Sequence, residues 1–312
     1  MAYRNSLWRG KAQLYCWSLL TCFLWATNYI VTRWGLGHIP PLVLTGVRHL
    51  LAALILFLVL SLWGGVRRNY LQVRIWPILV YGLFQTAGAF GFLTVSMTLI
   101  APGRASIINN THPFYTLVIA RIFLQERVTG QKIVSLALGF VGMFLVLFPK
   151  LGSSQSDPVG NLLALLAALC FSLANNFGRK ISRDYDTRVL TAGQMFAGGL
   201  LLLIMSVFFE HSGILDIPLN GWIAVGYLAV FSSLLPYPIW THLLKFYEAS
   251  TLSLFIFSLP LMASLLSFCI FGERFSLSTL FGLGFIASGL IIIGARDDSD
   301  AGSAGAPRPV QR

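Results

Sequence analysis

The chain has 312 residues, of which 56% are apolar and only 11% charged, with a mean hydropathy of +0.75. A soluble domain carries about 25% charged residues, so this composition excludes an ordinary water-soluble fold and points to a membrane. The formal net charge of +11 raises the question of a nucleic-acid partner, which the placement of the basic residues answers below.

Ten apolar runs of roughly the length that spans a bilayer follow one another: 12–35, 41–63, 75–98, 101–122, 131–149, 159–179, 189–209, 221–243, 249–271 and 277–295. Their connections are too short for a soluble domain. The first run reads as a span rather than a cleaved leader, because it is long, lacks a small-residue cleavage site and leads straight into the second. The polar, Pro-bearing segment 296–312 reads as a disordered tail. With the N-terminus in the cytoplasm, only Arg33, Arg104, Lys150 and Arg274 of the 22 Lys and Arg fall in outside loops, and Arg48 falls within a span. All others lie inside, as the positive-inside rule requires, which places both termini in the cytoplasm and leaves no basic patch for nucleic acid.

Polar side chains interrupt several runs in chain order. The first carries Trp25, Asn28, Tyr29 and Thr32 at helical spacing, the second Arg48, and the third Tyr81, Gln85 and Gly88. The fourth contains SIINNTHPFYT (106–116), in which Asn109, His112 and Thr116 share a helix face. The sixth adds Ser172, Asn175 and Asn176, the eighth Tyr237 and Trp240 beside Pro236 and Pro238, and the ninth Phe255 and Phe257 near Pro260. Polar groups in a bilayer are costly and face the bundle interior, so these stripes point to a shared cavity. For any one Asn or Thr, an interhelical hydrogen bond explains the residue as well as ligand contact does. Arg48 has three readings: snorkelling to the surface, attraction of an anionic group, or a structural tie to carbonyls, of which the tie is preferred. Cys16, Cys22, Cys170 and Cys269 all fall within runs and read as small packing residues.

A shift of 147 residues superposes Asn28 on Asn175, Arg33 on Lys180, Pro113 on Pro260, Glu126 on Glu273, Arg127 on Arg274 and Gly142 on Gly289. Residues 1–149 and 150–295 thus form two repeats of five runs each. Five is odd, so the second copy enters the membrane from the opposite side. Pro113 and Pro260 lack the N–H that would bind the carbonyl of residue 109 and of Ile256. Two helices weakened at matching depth are the hinges that alternating access needs. Asn109, Asn110 and His112 correspond to Ile256, Phe257 and Leu259, so one wall offers hydrogen bonds and the other an apolar surface. That pairing suits an amphipathic solute such as an amino acid.

The opening FLWATNYIVTRWGLGHIPPLVLTGVRHLLAALIL (23–56), with LQERVTG (124–130) and FGERFSLSTLFGLGFIASGL (271–290) closing the two halves, resembles EamA-type members of the drug/metabolite transporter superfamily. The resemblance covers nearly the whole chain outside the tail. It implies a ten-helix, two-fold pseudosymmetric carrier. Its first, third, fourth, sixth, eighth and ninth helices would enclose the cavity, with the fifth and tenth at the periphery. Such carriers move amino acids, other metabolites, drugs or nucleotide sugars.

The remaining chemistry narrows the class. No acidic residue lies at the centre of a run, so a carboxylate proton relay or a Na⁺ site is not evident, and His112 is the one midplane group with a suitable pKa range for protons. Facilitated diffusion or exchange stands as an equal alternative. Glu126 and Glu273 read as helix-end caps or interfacial partners. No Walker loop, GxSxG, HExxH or aspartate pair is present, so no cofactor, metal or catalytic residue is expected. The small residues Ser135, Gly139, Gly142, Gly284, Ser288 and Gly289 read as helix-packing surfaces. The reading is an all-α integral membrane protein in a cell membrane, exporting an amino acid or related solute. Its partners are that solute and the lipid bilayer, and a homodimer is left open. Efflux of drugs or other solutes is the alternative, followed by a channel or an intramembrane enzyme.

Overall fold

The computed structural model describes residues 10–62, 74–147, 157–210, 217–271 and 277–294. Glu273, Arg274 and the tail 296–312, singled out above, lie outside the described residues. All regular elements among the described residues are helical. In chain order they are α1 (Lys11–Gly35), α2 (Pro41–Leu62), α3 (Ile75–Leu99), α4 (Pro102–Asn109), α5 (His112–Phe123), α6 (Gly130–Leu147), α7 (Pro158–Ile181), α8 (Thr187–Phe209), α9 (Leu219–Phe246), α10 (Ala249–Leu254), α11 (Ser258–Phe271) and α12 (Leu277–Gly294).

Seven of these, α1, α2, α3, α6, α7, α8 and α9, are long and apolar enough to cross a membrane. The fourth predicted run is divided between α4 and α5, and the ninth between α10, a 3₁₀ turn at Phe255–Phe257, and α11. The tenth forms the 18-residue α12. Local chemistry sets several of the starts. Proline stands in the first turn of α2, α4, α5 and α7, where its missing N–H has no helical partner to lose. Asp157 caps α7 by accepting from Gly160 N at 2.9 Å, and Asp186 caps α8 by accepting from Arg188 N at 2.9 Å.

The distribution of side chains is that of a lipid-facing bundle. Leu58, Leu62, Phe123, Phe208, Phe209, Phe281 and Ile291 are exposed, whereas Asn28, Arg48, Gln85, His112 and Asn175 are buried. In water such an arrangement would be strongly unfavourable, while in hydrocarbon it is the expected one.

Contacts come in pairs that the 147-residue shift exchanges. The most extensive joins α6 to α12, the fifth and tenth runs, and the next joins α2 to α8. The contact of α3 with α7 has its counterpart in that of α9 with α1, and α5 against α7 is matched by α11 against α1. At the α6–α12 seam a Cβ on Gly142 would lie 2.5 Å from Gly282 O, and one on Gly289 would lie 3.0 Å from Ser135 O. Each of these contacts is the shifted image of the other. Gly284 and Ser288 differ from expectation: both are exposed, and Gly282 supplies the close approach instead. The spacing of small residues alone does not say which of two adjacent helix faces meets the partner.

Two features were not anticipated. The middles of α3 (Leu83–Gly91) and α9 (Leu228–Leu234) are wound as π-helix, at positions the shift again superposes. In α9, Pro236 removes the N–H that would bind Ser232 O, and the indole Nε1 of Trp25 donates to that oxygen at 3.2 Å.

Exchanging Gly142 for Leu forces a side chain against the backbone of α12, and should lower stability by at least about 1–3 kcal/mol, read as a loss of thermal midpoint in detergent. A second outcome concerns Asp186. Burial raises its pKa, but the side-chain and backbone hydrogen bonds of Arg188 outweigh this and hold the carboxyl below its ordinary value. A lowered carboxylate pKa stabilises the fold above the unfolded value, and that contribution is lost as pH falls through the folded one. D186N should therefore melt below the parent protein at pH 7, and the difference should vanish on acidification well below the ordinary carboxylate pKa of about 3.9.

Candidate functional site

The interruption between α4 and α5 is local. Asn110 N donates to Ser106 O at 2.8 Å, Thr111 N to Ile108 O at 3.1 Å, and Phe114 N to Thr111 O at 3.0 Å. The chain thus tightens at Asn110–Thr111 and restarts at His112, leaving Pro113 in the first turn of α5. Ser172 Oγ on α7 donates to His112 O at 2.8 Å and covers the exposed backbone. Pro260 stands in the first turn of α11, directly after the 3₁₀ turn. The breaks themselves fall two to three residues before Pro113 and three to five before Pro260. Irregular backbone of this kind is tolerated at membrane depth only where protein or a cavity completes it.

A narrow cavity of about 30 Å³ opens beside both interruptions. Its polar lining comes from Asn28 and Tyr29 on α1, Asn109 and Asn110 at the end of α4, and His112 at the start of α5. Its apolar lining comes from Ala89, Phe90 and Leu93 on α3, Phe171 on α7, and Ile256 and Leu259 at the second interruption, with Trp25 between the two. Asn109 Nδ2 donates to Tyr29 Oη at 3.3 Å. Asn110 Oδ1 and His112 Nδ1 are buried without a partner, and the His112 ring stands 4.5 Å from that of Phe171. Unpaired polar atoms against a cavity are groups with free hydrogen-bonding capacity, since burial without a partner costs about 1–3 kcal/mol each.

Of the residues expected to form the site, Trp25, Asn28, Tyr29, Asn109 and His112 are brought together on this lining. The others lie elsewhere. Phe257 is turned away: it fills the space over Gly139 in the layer against α6 and α12, and its neighbours Ile256 and Leu259 reach the cavity. The 3₁₀ turn changes the angle between successive side chains, which is why α-helical spacing picked the wrong one of three. Asn175 accepts from Trp240 Nε1 at 2.9 Å, and Tyr237 and Trp240 pack behind Trp25 at ring distances of 5.7 and 5.1 Å. Asn176 donates to Thr116 O at 3.3 Å and Ser172 O at 2.9 Å, and borders a second, more open cavity of about 210 Å³ with Phe84 and Lys180. Gln85 is buried within the π segment of α3, whose wider turn brings Ala89 and Phe90 to the wall instead. Phe90 and Phe171 were missed because an aromatic residue in an apolar run gives no signal of its own.

One end of the bundle, where Tyr247 Oη donates to Gly10 O at 3.3 Å, is closed by a charged cluster. Gln125 adopts a left-handed φ of 55° after α5, and the turned chain aims Glu126 at the start of α10. The Glu126 carboxylate accepts from Ala249 N at 2.9 Å, Ser250 N at 3.2 Å and the Ser250 hydroxyl. Lys132 Nζ donates to Ser250 Oγ at 2.6 Å and pairs with Glu248 at 2.5 Å. Arg179 Nη1 donates to Leu244 O and Lys245 O, each at 2.7 Å. The 147-residue shift places Ala101, Gly103 and Thr279 where Glu248, Ser250 and Lys132 stand, whereas the arginine bond recurs at the far end, where Arg33 Nη1 donates at 3.1 Å to Met97 O, the shifted image of Leu244 O.

The EamA-like transporter family model matches residues 13–148 and again 158–295. An uncharacterized transporter, YoaV, of Bacillus subtilis is 26% identical over 86% of this chain and 92% of its own. The probable amino-acid metabolite efflux pump of Salmonella typhimurium is 27% identical over 88% of this chain and 92% of its own. The uncharacterized inner membrane transporter YedA of Escherichia coli K12 is 27% identical over 86% and 87%. A solved crystal structure at 19% identity superposes with a TM-score of 0.79, covering 95% of this chain and 100% of that one, and so shares the fold.

Replacing Glu126 with Ala strands two buried backbone N–H groups and the Ser250 hydroxyl. A loss of about 1–3 kcal/mol is expected for each unsatisfied group, seen as a lower melting midpoint in detergent, with E126Q intermediate because its amide oxygen still accepts.

Proposed function

Since the chain belongs to the EamA-like transporter family, we propose that it is a secondary carrier exporting a small amphipathic metabolite, an amino acid or close relative, by alternating access. It is a multi-pass membrane protein of a transporter family rather than an enzyme family. The single observation that carries the reading is the cavity beside the two helix interruptions, with hydrogen-bonding groups on one side and aromatic and aliphatic groups on the other. A zwitterionic head and an apolar side chain match those two sides. The curated relatives named as probable amino-acid metabolite efflux pumps support the same solute class.

In this proposal the two repeats are inverted, so that ten spans arise from five and both termini face the cytoplasm. The paired exchange of contacts under the 147-residue shift supports it, as does the concentration of Lys and Arg on one side. The charged cluster of Glu126, Lys132, Arg179 and Glu248 then closes the cytoplasmic end, and the interruptions before Pro113 and Pro260 are where the halves bend. His112 is the group beside the cavity suited to proton coupling.

Counterflow of a panel of radiolabelled amino acids into preloaded proteoliposomes tests the reading. Saturable uptake of at least one is expected. N109L and H112L should each reduce it at least roughly tenfold, the size of one lost hydrogen bond of about 1.4 kcal/mol, with folded protein recovered in normal yield. Linear, non-saturating flux or full activity in both variants would refute it.

A further inference from the structure

Arg48 lies about two turns into α2, where a charged side chain at the bilayer centre costs roughly 2.5–3.5 kcal/mol on insertion scales, yet it is only 1% exposed. Snorkelling is therefore excluded. None of the described carboxylates neutralises it: Glu126, Asp157, Asp184, Asp186, Glu210 and Glu248 all stand at or beyond helix ends. Its Nη1 donates to Asn28 Oδ1 at 2.5 Å, its guanidinium carbon lies 5.2 Å from the centroid of Phe90, and its Nε has no partner. Asn28 and Phe90 both line the cavity, so the cation sits directly behind that part of the wall.

The neighbourhood holds further polar groups. The Phe90 ring lies 5.6 Å from Tyr237 and 5.5 Å from His49. His49 Nε2 is buried without a hydrogen-bond partner, and the Tyr237 hydroxyl stands within interaction range of the Gln85 amide and of Arg48. A structural tie would consume its donors on carbonyls, as Arg179 does with two. Arg48 makes no bond to a backbone carbonyl and donates instead to the side-chain oxygen of Asn28.

We propose that Arg48 is the receptor for the carboxylate of the solute, and that the Asn28 carboxamide oxygen holds the place of one carboxylate oxygen in the empty state. Rotation of Asn28 uncovers the guanidinium to the cavity, where a carboxylate accepts two parallel N–H bonds in the geometry that Arg favours. The solute's apolar end then lies along Phe90 and Phe171. This inference rests on the cavity being the solute site, and it narrows the solute class to anions and zwitterions bearing a carboxylate.

Thermal unfolding of the purified full-length protein in non-ionic detergent, titrated with sodium butyrate or with the isosteric neutral butyramide, provides the test. Butyrate should raise the midpoint in a saturable way and butyramide should not. R48Q should abolish the response. N28D supplies Arg48 with an internal carboxylate; its midpoint should equal or exceed that of the parent and no longer respond to butyrate, which keeps the test valid if R48Q does not fold. Equal responses to both probes, no response to either, or a parent-like butyrate response in N28D or R48Q would overturn the proposal. A butyrate-specific response without counterflow of any solute would overturn the carrier reading and leave the anion site standing. Undiminished amino-acid counterflow in N28D would do the reverse.

Discussion

Lipid-depth irregularities in this bundle are reinforced at several points by side chains that bond to the backbone. Lipid offers no hydrogen bonds, so a carbonyl released at membrane depth needs a partner from the protein. Trp25 Nε1 serves Ser232 O in front of Pro236, while Ser172 Oγ ties α7 to the start of α5 by donating to His112 O. At the second break, Cys22 Sγ and Ser258 Oγ both donate to Phe255 O. These bonds run between helices from the two halves or within the interruption itself. They fix α1 against α9 and α7 against α5, and in doing so they set the width and lining of the cavity.

The ten apolar runs, the repeat at 147 and the interior polar stripes were legible in the sequence because hydropathy and charge act at the level of whole segments. Five of the eleven expected cavity residues line the cavity. Gln85 and Phe257 were displaced by changes in helical winding, which leave little trace in sequence, while Asn175, Asn176, Tyr237 and Trp240 are taken up in hydrogen bonds and aromatic packing behind the wall. The π segment of α3 puts Phe90 on the wall in place of Gln85, and the 3₁₀ turn does the same for Ile256 and Leu259 in place of Phe257. His49, beside Arg48 and buried, was also missed. A histidine in an apolar run could have raised the question, but spacing alone could not place it.

The two repeats have parted in chemistry while keeping their geometry. Interruptions and the seam recur at equivalent positions and the π segments overlap, yet the polar trio Asn109, Asn110 and His112 corresponds to Ile256, Phe257 and Leu259, and Glu248, Ser250 and Lys132 of the charged cluster correspond to Ala101, Gly103 and Thr279. A duplicated frame therefore carries an unsymmetrical interior. Such a division suits a site that must hold two unlike ends of one small molecule, and it makes the free energy of closing one end differ from that of closing the other.

The glycine seam between α6 and α12 bears on how the molecule is able to move. Backbone rests on backbone at Gly142 and Gly282, and again at Ser135 and Gly289. Neither helix has side-chain slack with which to slide or roll. Such packing resists sliding, so in the proposed cycle this pair would serve as a strut shared by both halves and displacement would fall on the helices around the cavity.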